Sequence, residues 1–179
     1  SFLKNAGFSI LKYRLYPYPN ENSLIIIART GNESRVNSDT SENIETSRKL
    51  MLNYEENFLS IRNATREKLQ HIKNKFGDIA IFGAGHITTM YLNIMNISDL
   101  ISFVVDDDEN KRGLFIPGCK LPIYNSTDLL DRDIKYCLTS LSPESEKKVI
   151  AANETFLSRG GIFASIFPSN PNSFINKSI

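Results

Sequence analysis

The feature that most constrains the fold is a glycine-rich turn between a short apolar run and a helical pattern, at residues 79–91, IAIFGAGHITTMY. Without Cβ atoms, Gly83 and Gly85 let a bound group approach the backbone closely. Free N–H groups at the start of the helix favour an anion. The full dinucleotide fingerprint has a third small residue where this chain has Thr88, so the match is partial. The pattern is typical of a nucleotide-binding turn, with a purely structural turn as the alternative.

Strand and helix patterns alternate after this turn. We predict strands at 79–83, 101–106, 135–139 and 162–167, and helices at His86–Met95 and Pro143–Leu157. The second helix opens after Ser142 with proline at the favoured first position. Alternation of this kind predicts a parallel sheet with crossover helices. We therefore predict an α/β, Rossmann-like open parallel sheet with flanking helices, preceded by a β-hairpin and a long connector helix, and expect the tail at 168–179 to be loose.

The first part of the chain has a different pattern. Residues 8–15 alternate apolar and polar side chains, a Pro/Asn-rich turn follows, and SLIIIART at 23–30 predicts a fully buried strand. Such a hairpin needs more sheet to be stable. After a polar linker at 31–41, a helix is predicted from about Glu42 to Lys75. Its apolar stripe has the helical period and consists of Met51, Tyr54, Phe58, Ile61, Thr65, Leu69 and Ile72.

Composition excludes several classes of protein. The net charge of +1 gives no basic field for nucleic acid, and no apolar run reaches the roughly 18 residues that span a membrane. Cys119 and Cys137 are too few for a disulfide framework, so we expect reduced thiols in a cytoplasmic protein. The chain starts at Ser1, and residues 2–8, FLKNAGF, are typical of a helix end stopped by Gly7. This start favours a carboxy-terminal piece of a longer protein.

The candidate site consists of Gly83, Ala84, Gly85, His86 and Asp106. Asp106 ends the second predicted strand, 23 residues after Gly83, where a ribose-binding acid usually stands. Capping of the strand end is the alternative role for Asp106. The acidic run that begins there lacks the alternating spacing of a calcium loop. His86 could bond a ligand phosphate or transfer a proton, or it could be a surface or capping residue. No catalytic constellation or metal site is predicted.

The stretch at 99–123 is more distinctive than the glycines. Its aliphatic strand ends in Asp106, and Lys111-Arg112-Gly113, Ile116-Pro117-Gly118 and Leu121-Pro122-Ile123 follow. This order resembles the carboxy-terminal, Rossmann-like domain of the S-adenosylmethionine-dependent sugar C-methyltransferase family. Residues 2–30 resemble the end of that family's methyltransferase domain, and Ser23-Leu24 match its closing strand. The chain departs from the family at the glycine turn, which reads Gly83-Ala84-Gly85-His86 and lacks the family's lysine-glycine step.

The resemblance implies a domain plan and a function. Residues 1–35 would be the tail of an upstream methyltransferase domain, 36–77 a linker and long helix, and 78–179 the Rossmann-like domain. S-adenosylmethionine would bind outside this chain, and no catalytic residue carries over. The implied partners are a nucleotide-sugar substrate, which Gly83 to His86 and Asp106 would help to enclose, and the upstream domain; neither nucleic acid nor membrane is implied.

Three alternatives stay open from the sequence. GxG with Asp106 downstream also suits a free-standing NAD(P)-binding reductase, although no Tyr-x-x-x-Lys pair accompanies the turn. The same stretch resembles the sugar-nucleotide recognition domains that precede sugar acyltransferases, which lack a leading hairpin and long helix. Finally, the domain could be a scaffold that only docks and orients its neighbour.

Overall fold

The structure, a computed structural model, describes residues 2–17, 22–31 and 41–176. Most of the predicted hairpin turn, at 18–21, and most of the predicted linker, at 32–40, lie outside the described residues. The chain divides into two compact units whose boundary falls between Asn57 and Phe58, inside one helix. The three-part domain division stays a prediction.

The first unit contains a short helix followed by a β-hairpin. A short helix, α1 (Phe2–Asn5), stops just before Gly7, whose φ of +82° is the left-handed conformation that ends helices. Strands β1 (Phe8–Pro17) and β2 (Asn22–Thr30) then pair antiparallel, with Phe8 opposite Thr30 and an irregularity between Ile10 and Lys12.

The prediction that the second hairpin strand is fully buried was wrong. Leu24 and Ile27 are 56% and 55% exposed, and Ile25 and Ile26 are exposed as well. A two-stranded ribbon turns successive side chains to opposite faces. In the described part of the chain, both faces of this ribbon present aliphatic side chains to solvent.

The predicted long helix is present as α2 (Ser41–Phe76). The burial of its apolar stripe changes along the helix. Met51 and Ile61 are exposed, whereas Thr65, Leu69 and Ile72 are buried. In the second unit, Leu69 and Ile72 belong to the core cluster on one face of the sheet, so the stripe is core only in the last turns of the helix.

The second unit is a five-stranded parallel sheet with helices on both faces, which confirms the predicted fold class. Its elements are β3 (Ile79–Phe82), α3 (His86–Met95), β4 (Phe103–Val105), β5 (Ile123–Tyr124), α4 (Asp128–Asp131), β6 (Tyr136–Thr139), α5 (Pro143–Ala152), α6 (Glu154–Ser158) and β7 (Ile162–Ser165), with a 3₁₀ turn at Ser98–Leu100. The strand order is β5-β4-β3-β6-β7. The two-residue strand β5 was not predicted.

Side chains of the strands alternate between two cores. Along β3, Ile79 and Ile81 join the core that lies under α2 and α3. Ala80 and Phe82 join the opposite core with Leu129 of α4 and other apolar side chains of α5 and α6. Burial on both faces explains why these short strands read as continuous apolar runs in the sequence.

The predicted helix at Pro143–Leu157 is instead two helices. Ser142 caps α5 as expected, since its side chain accepts the Ser145 N–H. The helix stops at Asn153, whose side-chain amide donates to the carbonyl of Val149. Asparagine competes in this way with the backbone hydrogen bonds of a helix interior, and α6 starts afresh after it.

The prediction of a loose tail was also wrong for its described part, which ends at Asn176. Phe174 is fully buried in the core, and Ser173 bridges to Ser165 at the end of β7. Glu146 of α5 is buried; one of its carboxylate oxygens accepts from the Thr139 hydroxyl and the other accepts from the Asn170 amide at 2.5 Å. A buried carboxylate therefore joins β6, α5 and the tail.

Replacing this carboxylate should loosen the tail. We expect Glu146→Ala to lower the free energy of unfolding by about 1–3 kcal/mol, because it leaves buried partners unsatisfied. Amide exchange at residues 165–176 should accelerate. Glu144→Ala removes an exposed carboxylate that pairs with Lys148 in the same helix and should change stability by less than about 0.5 kcal/mol. Equal effects of the two substitutions in urea unfolding would contradict this role of Glu146.

Candidate functional site

The order of the strands places a crevice beside β3. From β3 the chain continues to β4 and β5 on one side of the sheet, and later adds β6 and β7 on the other side. In open parallel sheets, ligands bind outside the carboxyl ends of the strands at such a reversal. Here that position lies between the glycine turn, 83–86, and the loop after β6, 140–142.

Gly83 has a conformation that other residues rarely adopt. Its φ is +106°, and a Cβ atom there would lie 2.9 Å from Leu141 Cδ2 and 3.0 Å from Ser140 Oγ. Its own N–H donates to the Val105 carbonyl at 2.7 Å. Both the backbone angle and the close approach of the loop after β6 therefore require glycine.

Thr88 explains why the dinucleotide fingerprint is incomplete. It is fully buried, its hydroxyl donates to the Gly83 carbonyl, and it also contacts the Ser140 hydroxyl. Ser140 Oγ in turn lies 3.2 Å from the same Gly83 oxygen. A third glycine would lack the side chain that ties the turn to the loop after β6.

Gly85 is the open position of the turn. Its backbone is extended, at φ −111° and ψ −175°, and a Cβ atom there would have no neighbour within 4 Å among the described residues. Gly85 and His86 are both exposed, and His86 is the first residue of α3. A ligand could therefore reach the start of α3 on the side of Gly85.

Asp106 binds the turn from the neighbouring strand. Oδ2 accepts the Ala84 N–H at 2.8 Å and the Lys111 ammonium at 2.9 Å, while Oδ1 accepts the Asp108 N–H at 3.0 Å. Partial burial acts to raise the pKa of Asp106. The hydrogen bonds from Lys111, Asp108 and Ala84 outweigh it, so the pKa lies below the ordinary value of 3.8. Asp106 is thus a charged clamp between two loops.

A family model described as the C-methyltransferase C-terminal domain matches residues 31–168. The chain belongs to this family. The predicted resemblance to the C-terminal domain of a C-methyltransferase is thereby confirmed. No curated protein matches the chain significantly. Among the described residues, none of the helices is long and apolar enough to cross a membrane.

Methyltransferases in general use S-adenosylmethionine; at the glycine turn, the surroundings of Asp106 fit the ribose of that group poorly. A ribose at the end of the second strand needs a carboxylate that is free to accept its hydroxyl groups. Both oxygens of Asp106 are already engaged by Ala84, Lys111 and Asp108. The same hydrogen bonds argue against NAD(P) binding, because NAD(P) needs the same carboxylate for its ribose.

The rest of the acidic run has local partners. Asp107 accepts the Ser126 N–H and Asp108 accepts the Asn110 N–H, each at 3.0 Å. In the parts of the chain that the structure describes, no three His, Cys, Asp or Glu side chains are grouped to hold a metal ion. These carboxylates shape the loop after β4.

The structure brings the predicted site residues together. Gly83 to His86 form the turn, and Asp106 contacts it directly through Ala84. Whether these residues bind a ligand stays a prediction. Sequence reasoning missed Ser140 and Leu141, and did not foresee the contacts of Thr88. Their signal was available, because Ser140 directly follows a predicted strand and the carboxyl ends of parallel strands share one edge of a sheet.

The two glycines of the turn should respond differently to alanine. We expect Gly83→Ala to lower the free energy of unfolding by about 1–3 kcal/mol, because it forces a side chain into a left-handed conformation and against Leu141. Gly85→Ala should cost less than about 1 kcal/mol, since its Cβ meets open space. Urea unfolding of both variants measures this difference. A Gly85 variant as unstable as the Gly83 variant would contradict the open geometry.

The Asp106 clamp should make stability depend on pH. Because the folded-state pKa is lowered, the contribution of Asp106 is fully present above its unfolded pKa, near 3.8, and is lost as the pH falls through the folded value. We expect Asp106→Asn to be about 1–2 kcal/mol less stable than the wild type at pH 7. This difference in the free energy of unfolding should become smaller below about pH 4. A gap that stays constant between pH 7 and pH 2 would exclude this charge-dependent role.

Proposed function

We propose that this chain is the substrate-side, C-terminal domain of an S-adenosylmethionine-dependent C-methyltransferase that acts on a nucleotide-linked sugar or a similar small molecule. The observation that carries the proposal is the family match over residues 31–168. The methyl donor and the catalytic groups would belong to a preceding domain, so this chain would not transfer methyl groups alone. With two free cysteines and no disulfide among the described residues, we expect the protein to work in the cytoplasm.

The hairpin supports the existence of a preceding domain. It lies before the matched residues, and aliphatic side chains are exposed on both of its faces. Exposed apolar surface of this kind marks an interaction site. We propose that residues 1–35 complete the sheet of the methyltransferase domain, which would cover both faces of the ribbon.

The crevice supports the binding of a substrate. Gly85 leaves the start of α3 accessible, and α3 is a ten-residue helix whose first N–H groups can donate to a ligand oxygen. Gly83 and Asp106 are held in fixed positions by Ser140, Thr88 and Lys111. We propose that this edge of the sheet encloses the substrate against the preceding domain.

Ligand binding to the purified chain tests this function. S-adenosylmethionine should give no binding heat at micromolar concentrations in titration calorimetry. UDP-, dTDP-, GDP- and CDP-linked sugars, tested singly, should include one that raises the melting temperature. At a concentration one hundred times the dissociation constant, stabilisation reaches about 2.7 kcal/mol.

Gly85→Ala provides the matched control, because its side chain would enter the crevice without meeting other atoms of the domain. This variant should fold and lose the thermal shift. Micromolar binding of S-adenosylmethionine to the wild-type chain would overturn the proposal that the methyl donor binds to a preceding domain. The absence of a shift with every nucleotide-linked sugar would overturn the proposed substrate class.

A further inference from the structure

We propose that Asp106 is a specificity-determining residue, a fixed internal anion that keeps phosphate groups off the glycine turn and leaves the crevice to uncharged, hydroxyl-bearing groups. The inference deepens the proposed function and depends on it only for the identity of the natural ligand. The proposed exclusion of phosphate from the glycine turn does not depend on which ligand is the natural one.

The carboxylate occupies the place that a phosphate would need. In glycine turns that bind nucleotides, backbone N–H groups of the turn and of the following helix point at phosphate oxygens. Here the N–H of Ala84, the central residue of the turn, donates to Asp106 Oδ2 at 2.8 Å. A phosphate oxygen placed at this N–H would lie against the negatively charged oxygen that already accepts from it.

The carboxylate is also held firmly. The Lys111 ammonium lies 2.9 Å from the same oxygen, and the Asp108 N–H holds the other oxygen at 3.0 Å. The side chain of Asp106 is only 15% exposed. A phosphate could replace it only by stripping a partly buried carboxylate of its donors, and buried charges without partners are costly.

A phosphate placed beside the carboxylate would be repelled instead. Like charges at close range are screened less at a partly buried site than in open solvent. Lys111 offsets part of this repulsion, because its ammonium lies 2.9 Å from Asp106 Oδ2, but a phosphate at the Ala84 N–H would still contact the carboxylate oxygen that accepts from the same group. An uncharged hydroxyl group at Gly85 suffers no such repulsion. In the proposed substrate, the sugar ring would therefore face the turn, and the diphosphate would lie elsewhere.

Inorganic pyrophosphate is a suitable probe, because it is a diphosphate without a base or a sugar. We expect the wild-type chain to bind it weakly in titration calorimetry at low ionic strength. Asp106→Asn removes the charge, keeps the shape and should bind pyrophosphate at least tenfold more tightly. Glu109→Gln makes the same change of net charge at an exposed position three residues away. Its affinity should stay within twofold of the wild type.

A second substitution locates the new binding. Adding Gly85→Ala to Asp106→Asn should reverse most of the gain if pyrophosphate sits on the turn. Asp106→Ser replaces Asp106→Asn if circular dichroism shows that the latter does not fold. The proposal is overturned if neutral variants at position 106 bind no better than Glu109→Gln, if the wild type binds equally tightly, or if Gly85→Ala leaves the gain intact. None of these outcomes bears on the thermal shift with nucleotide-linked sugars, so the two proposals fail separately.

Discussion

The left-handed backbone of Gly83 is the constraint on which the crevice depends. It lets the chain leave β3 and start α3 while the loop after β6 packs against the turn. Three side chains from three different elements then hold this geometry. Thr88 and Ser140 bond the Gly83 carbonyl, and Asp106 bonds the next N–H. Small changes in any one of these elements would be transmitted to the same two peptide groups.

Much of the second unit follows from its sequence. Strands buried on both faces appear as continuous apolar runs, and α3 begins and ends where its pattern predicts. The features that were missed depend on tertiary contacts. Strand β5 has only two residues, too few to show a period, and its pairing with β4 defines it. The tail has a polar sequence, and only the fold shows that Phe174 reaches the core.

The hairpin and the candidate site each have a feature that could not be predicted from composition or spacing. SLIIIART has the composition of a buried strand, yet burial requires a covering layer that composition cannot supply. At the site, the spacing of Gly83 and Asp106 predicted that Asp106 lies near the glycine turn, and the structure places it against Ala84. Spacing could not show that Asp106 forms its hydrogen bonds with the turn itself rather than with a ligand. That distinction depends on the positions of Ala84, Lys111 and Asp108 around one carboxylate.

The buried connection through Glu146 changes where the domain ends. The family match stops at residue 168, immediately before the segment that supplies Asn170 and Phe174. The folded unit is therefore longer than the family boundary. An expression fragment cut at that boundary would keep the whole parallel sheet, yet lose a core side chain and one partner of a buried charge. Domain limits drawn from sequence matches alone would produce a less stable protein than the chain itself encodes.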